Sequence, residues 1–252
     1  RETYVNSCAG INLGAVVETT LNRGRLRALG NKQVGIDVGD PREFKTFDEF
    51  LAAYEKEHEF FMRHAMIQQV IADKVKPTKL AAPLTSLYVG ACREASVDIY
   101  DYVPDSIREA FVGHIGYATM IDSLVAVKKV VFDDKAVTMD ELLKALDANF
   151  EGYEVVQQLL LHAPKYGNND SYADSVGKEV DRFICQYLHD NPGPHGLIYS
   201  MRVVPVTFHV PSGKVCWATP DGRKAGEYLS EGSSASHGVE TGGATEVLLS
   251  NR

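Results

Sequence analysis

Two short strings constrain the fold of this chain most: Thr46-Phe47-Asp48-Glu49 and Thr138-Met139-Asp140-Glu141. In each, a threonine stands three residues before a glutamate, so the two side chains can satisfy each other's backbone donors at a helix start. An apolar stripe follows both. Phe47, Phe50, Leu51, Tyr54, Phe61, Ala65 and Ile71 recur at mostly helical steps after the first, with a break at His58. Met139, Leu142, Leu143, Leu146 and Phe150 do the same after the second. The first helix is expected to stop by Lys76, because Pro77 follows.

The same reading places helices over 11–22, 83–97, 119–132, 153–162 and 171–189. Asn191-Pro192-Gly193-Pro194 is a hard break. The stretch 98–113 is polar and aromatic and reads as an irregular connection. After the break the period changes. Residues 202–210 are rich in β-branched side chains and read as a strand, with Pro205 at an edge or bulge. Residues 230–243 are dense in Gly and Ser and read as a loop. The expected class is α/β and helix-rich.

Composition excludes several functions. The formal net charge of −8 repels phosphate backbones, so nucleic acid is not an expected partner. No apolar run reaches the ~18 residues of a membrane span. Cys8, Cys92, Cys185 and Cys216 are too far apart for a zinc knuckle or redox pair, which fits free thiols in a reducing cytoplasm. The basic residues Arg23, Arg25, Arg27 and Lys32 read as a solvated loop. The chain starts Arg1-Glu2-Thr3 with neither Met nor a signal pattern, so processing or truncation ahead of Arg1 is expected.

Motif chemistry is sparse. There is no dinucleotide or phosphate-binding glycine loop, no His-Glu-x-x-His and no Gly-x-Ser-x-Gly. His58 and His64 are six apart, the wrong spacing for a shared metal, and no metal ligands are assigned. Asp133 and Asp134 read as a helix terminus, and Asp98 and Asp101 as a solvated pair.

Longer strings say more. Residues 122–132 (DSLVAVKKVVF), 138–143, 149–153 (NFEGY), 163–168 (APKYGN) and 218–227 (ATPDGRKAGE), with Gly39-Asp40-Pro41 and 44–47 upstream, resemble the glycyl radical enzymes of the pyruvate formate-lyase type, in the same order. The resemblance implies a ten-stranded α/β barrel wrapped by helices, of which residues 1–252 would be a partial domain. It implies that a separate iron–sulfur activating enzyme uses S-adenosylmethionine to install a glycyl radical. That radical converts a cysteine to a thiyl, which takes a hydrogen atom from a small substrate. A homo-oligomeric parent in anaerobic, cytoplasmic metabolism is implied too.

No string here matches the family's radical cysteine or radical glycine loop, so no catalytic residue and no bound cofactor are assigned to 1–252. Cys8, between Ser7 and Ala9, is a poor match for the thiyl residue. Dehydratase members carry a carboxylate in the segment leading into the Ile11 helix, whereas residues 4–17 contain no Asp or Glu. That points away from glycerol-type dehydratases and towards an outlying lyase, an arylacetate decarboxylase or a sulfonate-cleaving member. Dehydratase and formate C-acetyltransferase stay as alternatives, as do a degenerate non-catalytic paralogue and a binding module. By position in the family, His209 and Ser234 are expected to bind substrate; His114 with Tyr117, at Gly113 and Gly116 where backbone can approach a ligand closely, is expected to do so too.

Overall fold

The computed structural model describes residues 3–101, 107–204 and 206–252. Strand β1 (Thr3–Asn12) leads directly into α1 (Leu13–Leu21). Asn12 ends one and caps the other, its Oδ1 accepting the Ala15 N–H at 3.0 Å. A small antiparallel hairpin, β2 (Arg25–Leu26) and β3 (Lys32–Gln33), occupies the expected loop. Arg27 there is not solvated. Its side chain is 10% exposed and pairs with Asp147 at 2.6 Å.

Helix α2 (Phe47–Lys79) starts where the first Thr-x-x-Glu string places it. The Thr46 Oγ1 accepts the Glu49 N–H at 3.2 Å, while the Glu49 carboxylate accepts from Lys45 N rather than from Thr46. His58 does not break the stripe; it is fully buried on it, and Ile71 is the exposed position. Pro77 does not end the helix either. It stands in the last turn, where its missing N–H costs a single ladder bond, and the Leu80 N–H still reaches the Lys76 carbonyl. The expected 83–97 helix is two short ones, α3 (Pro83–Tyr88) and α4 (Gly90–Ala95), separated by the extended backbone of Val89. Asp98 is not a solvated loop carboxylate. It accepts from Ala82 N, Ser86 Oγ and Tyr100 N and so ties this region together.

The expected irregular connection leads into β4 (Ile107–Ile115), which the charges of Arg108 and Glu109 and the glycine at 113 obscure in the sequence. Helix α5 (Tyr117–Ala126) follows, buried along its whole length. It continues as a π-helical segment over Val127–Asp133. Five-residue steps then put Lys128 over Asp133 (2.8 Å) and Lys129 over Asp134 (2.9 Å), so the two aspartates do mark a helix end.

Helix α6 (Met139–Asp147) carries a complete capping box from Thr138 and Glu141, and its stripe is buried. Helices α7 (Glu154–Leu161) and α8 (Ser171–Asp190) lie where periodicity puts them. Strand β5 (Ile198–Val203) is earlier and shorter than the expected 202–210 strand. Residues 209–214 form α9 (His209–Lys214), and α10 is Ala244–Ser250. The expected strand thus fails at His209. Its β-branched run is cut after Val203, and a short helix starts four residues past Pro205.

Strands β1, β4 and β5 form a parallel sheet in that order, each pair joined by long helical crossovers. The chain divides into two compact units, one of residues 1–10, 62–113 and 184–202, the other of 11–61, 114–183 and 203–252. The first holds most of the sheet. The second holds a core of α1, the first half of α2, α5 and α6, with Leu13, Phe50, Tyr54, Ile121, Leu142 and Phe150 essentially sealed from solvent. Among the described residues, no helix is long and apolar enough to cross a membrane.

Candidate functional site

The second unit holds a cavity of about 370 Å³, walled in part by Asp122, Lys165, Asp221, Arg223, Ser236 and His237. Its floor is set by α5. Thr119 and Asp122 are three residues apart and so share one helix face. Thr119 and Ser230 exchange two hydrogen bonds, each backbone N–H donating to the other's hydroxyl at 2.9 Å. Asp122 accepts the Tyr166 N–H at 2.8 Å with one oxygen and the Ser236 hydroxyl at 2.9 Å with the other. Two side chains of one helical turn therefore pin the 163–168 string and the Ser-rich loop.

Burial pushes the Asp122 carboxyl up to about 7, with Lys165 and the Tyr166 N–H pulling it back. Lys165 is itself buried, and its Nζ donates to the carbonyls of Leu160 (2.8 Å) and Asp221 (3.3 Å). A carboxyl that titrates near neutrality in an enclosed polar wall can exchange a proton there.

The 218–227 string supplies another part of the wall, and Arg223 is its clip. The buried guanidinium donates through Nε to Thr219 Oγ1 (3.0 Å) and through Nη1 to the carbonyls of Lys224 (2.9 Å) and Glu227 (2.7 Å). Its Nη2 donates to the Trp217 carbonyl. The Thr219 hydroxyl donates to Asp221 Oδ1 at 2.6 Å, closing the turn. Gly222 sits at φ +95°, where a side chain would also strike Leu161. Burial drives the nearby Cys216 thiol up to about 12, so it is no nucleophile at neutral pH.

The four residues expected to bind substrate are not brought together. His209 opens α9, largely buried, with its ring 6.3 Å from that of Tyr228 and 6.1 Å from that of His237, both of which border the cavity. His114 stands in β4 rather than in a loop, fully buried, with its Nε2 3.2 Å from that of His58. Tyr117 donates to Asp181 Oδ2 at 2.7 Å beside a separate hollow of about 280 Å³. Ser234 is exposed, and its neighbour Ser236 is the serine that reaches the cavity. Asp122, Lys165, Arg223 and His237 were not expected at a site. Asp122 carried a legible signal, a carboxylate inside the apolar run 120–127. Arg223 and Lys165 lie inside the strings that carry the resemblance.

This helix-rich α/β architecture, with a parallel sheet and the 218–227 turn clipped by arginine, is a segment of the glycyl radical enzyme barrel. A family model described as pyruvate formate lyase-like matches residues 1–213, and the chain belongs to that family. The isethionate sulfite-lyase of Desulfovibrio desulfuricans is 44% identical over 253 residues, which is 100% of this chain and 30% of that protein. The crystal structure of hydroxyproline dehydratase from Clostridioides difficile, with trans-4-hydroxy-L-proline bound, matches with a TM-score of 0.93 at 33% identity. That match covers 99% of this chain and 31% of the dehydratase. The 4-hydroxyphenylacetate decarboxylase glycyl radical subunit of Clostridioides difficile is 33% identical over only 162 residues, 54% of this chain and 18% of that subunit. The chain thus spans about 30% of the length of the first two.

The expectation of an arylacetate decarboxylase is corrected by these matches. It rested on the missing carboxylate in 4–17 and on the departure of residues 98–117 from the dehydratase string, neither of which chooses among lyases or excludes a dehydratase.

Proposed function

We propose that this chain is part of a glycyl radical lyase that cleaves a carbon–sulfur bond in a small sulfonate and releases sulfite. The observation that carries this reading is the 44% identity to isethionate sulfite-lyase across the whole chain. The absence of Asp and Glu from residues 4–17 agrees with it. In the family's chemistry a thiyl radical takes a hydrogen atom from substrate, leaving a carbon radical beside the bond that breaks. The barrel keeps water and oxygen from that radical. The glycyl radical requires an activating enzyme with S-adenosylmethionine as a partner, and a homo-oligomeric assembly accompanies this reading.

Of the four substrate-binding candidates, His209 is retained, at the edge of the Asp122 cavity. His114, Tyr117 and Ser234 are read as supports, because His58 and Asp181 engage the first two and the third faces solvent. A dehydratase is the second reading, favoured by the TM-score of 0.93 to hydroxyproline dehydratase.

One assay separates them. The protein expressed from its complete gene is activated anaerobically and offered isethionate and trans-4-hydroxy-L-proline in parallel. Sulfite from the first and no dehydration of the second is the expected result. Dehydration of hydroxyproline without sulfite release would replace the lyase with the dehydratase, and no product from either, with a glycyl radical present, would reject both substrates.

A further inference from the structure

We propose a divalent transition-metal site formed by His209, Glu231 and His237. The three side chains each offer a donor atom, and these atoms lie within 4.8 Å of one another. His209 supplies the strongest indication. Its side chain is nine-tenths buried, and its Nδ1 has no hydrogen-bond partner. A buried imidazole nitrogen is ordinarily satisfied, so this one is short of a ligand. The nearest charged oxygen, Glu231 Oε1, stands 3.9 Å away, too far for a hydrogen bond.

The backbone holds the three donors in place. The Leu229 N–H donates to the His209 carbonyl, tying the loop to the start of α9. The Ser234 N–H donates to the Glu231 carbonyl, turning the loop back towards His237. The Tyr228 ring lies 5.0 Å from that of His237 and limits where it can swing.

Two imidazoles and a carboxylate suit a borderline ion such as Zn²⁺ or Fe²⁺, not Mg²⁺ or Ca²⁺, which prefer oxygen alone. Metal–ligand bonds of about 2.0–2.2 Å require the donors to close to roughly 3.4 Å from one another. Glu231 is half-buried and His237 exposed, so both can make that movement. Three protein ligands leave a coordination position open. His237 also lines the Asp122 cavity, so an ion held here stands at that cavity's edge.

The site is tested on the protein expressed from its complete gene, stripped with a chelator. It is titrated with Zn²⁺ by calorimetry and with Co²⁺ by visible absorbance, since Co²⁺ in a nitrogen–oxygen site of low coordination number colours intensely. The wild-type protein should take up one equivalent that His237→Ala loses and Glu231→Gln binds on the order of tenfold more weakly or worse. Because His237 is exposed, its replacement should leave the circular dichroism unchanged. Equal uptake by wild type and His237→Ala, or no uptake by wild type, would overturn the site.

Discussion

His58 and His114 face each other through their Nε2 atoms at 3.2 Å, both fully buried. Only one of the two nitrogens can carry the proton. Tyr54 extends the pair: its hydroxyl lies 3.2 Å from His58 Nδ1, and burial raises its pKa, so it stays protonated. Tyr54, His58 and His114 thus form a buried three-residue relay, in which burial keeps the His58 imidazole neutral.

This relay makes stability depend on pH. Burial first, and the neighbouring His114 second, hold the His58 pKa well below the ordinary imidazole value of 6.5. The unfolded chain therefore binds a proton on His58 that the folded chain refuses. Stability is fully present above pH 6.5 and falls as pH drops from there towards the folded value. Thermal unfolding should show a lower midpoint at pH 5.5 than at pH 7.5. His58→Phe should flatten that difference, while costing about 1–3 kcal/mol at pH 7.5 through the unsatisfied Tyr54 and His114 groups. A pH slope unchanged in His58→Phe would refute a buried, neutral His58.

Asp122 works in the opposite direction. Burial pushes its carboxyl up to about 7 when folded, against an ordinary value of 3.8. Between these values the folded state holds the proton and the unfolded state does not, so this group's contribution is fully present below pH 3.8. It is lost as pH rises through 7. Asp122→Asn is uncharged at every pH and keeps an acceptor for the Tyr166 N–H. The variant should gain thermal stability relative to wild type at pH 8 compared with pH 5.5. A variant whose deficit grows with pH would show that the carboxylate is ionised and stabilising.

Arg223 carries the 218–227 turn. A lysine in its place offers one nitrogen where the guanidinium bonds three carbonyls and a hydroxyl, and buried carbonyls would be left without donors. Arg223→Lys should destabilise by about 2–4 kcal/mol in denaturant titration. A loss below about 0.5 kcal/mol, the scale of an ordinary surface change, would mean that the clip is not what holds the turn.

Most helices were legible in the sequence because their signals are local. Thr138 and Glu141 form the capping box they advertise, and the stripe from Met139 to Leu146 is buried as its period requires. What was illegible depends on distant partners. Strand β4 carries charged Arg108 and Glu109, and Glu109 finds its partners in Ser200 and Arg202, about ninety residues on. His58 looked like a defect in a stripe because its partner, His114, is 56 positions away. The site shows the same division. The 218–227 string was recognisable, whereas the union of Asp122 with Tyr166 and Ser236 exists only in the folded chain.

The central claim is that this chain belongs to an enzyme working through a protein-borne glycyl radical. Electron paramagnetic resonance tests it most directly. The protein expressed from its complete gene is incubated anaerobically with its activating enzyme, S-adenosylmethionine and a reductant. The account predicts the doublet of a glycyl radical, which decays on exposure to oxygen. A properly folded protein that shows no such signal, with an activating enzyme proven competent on another member of the family, would contradict it.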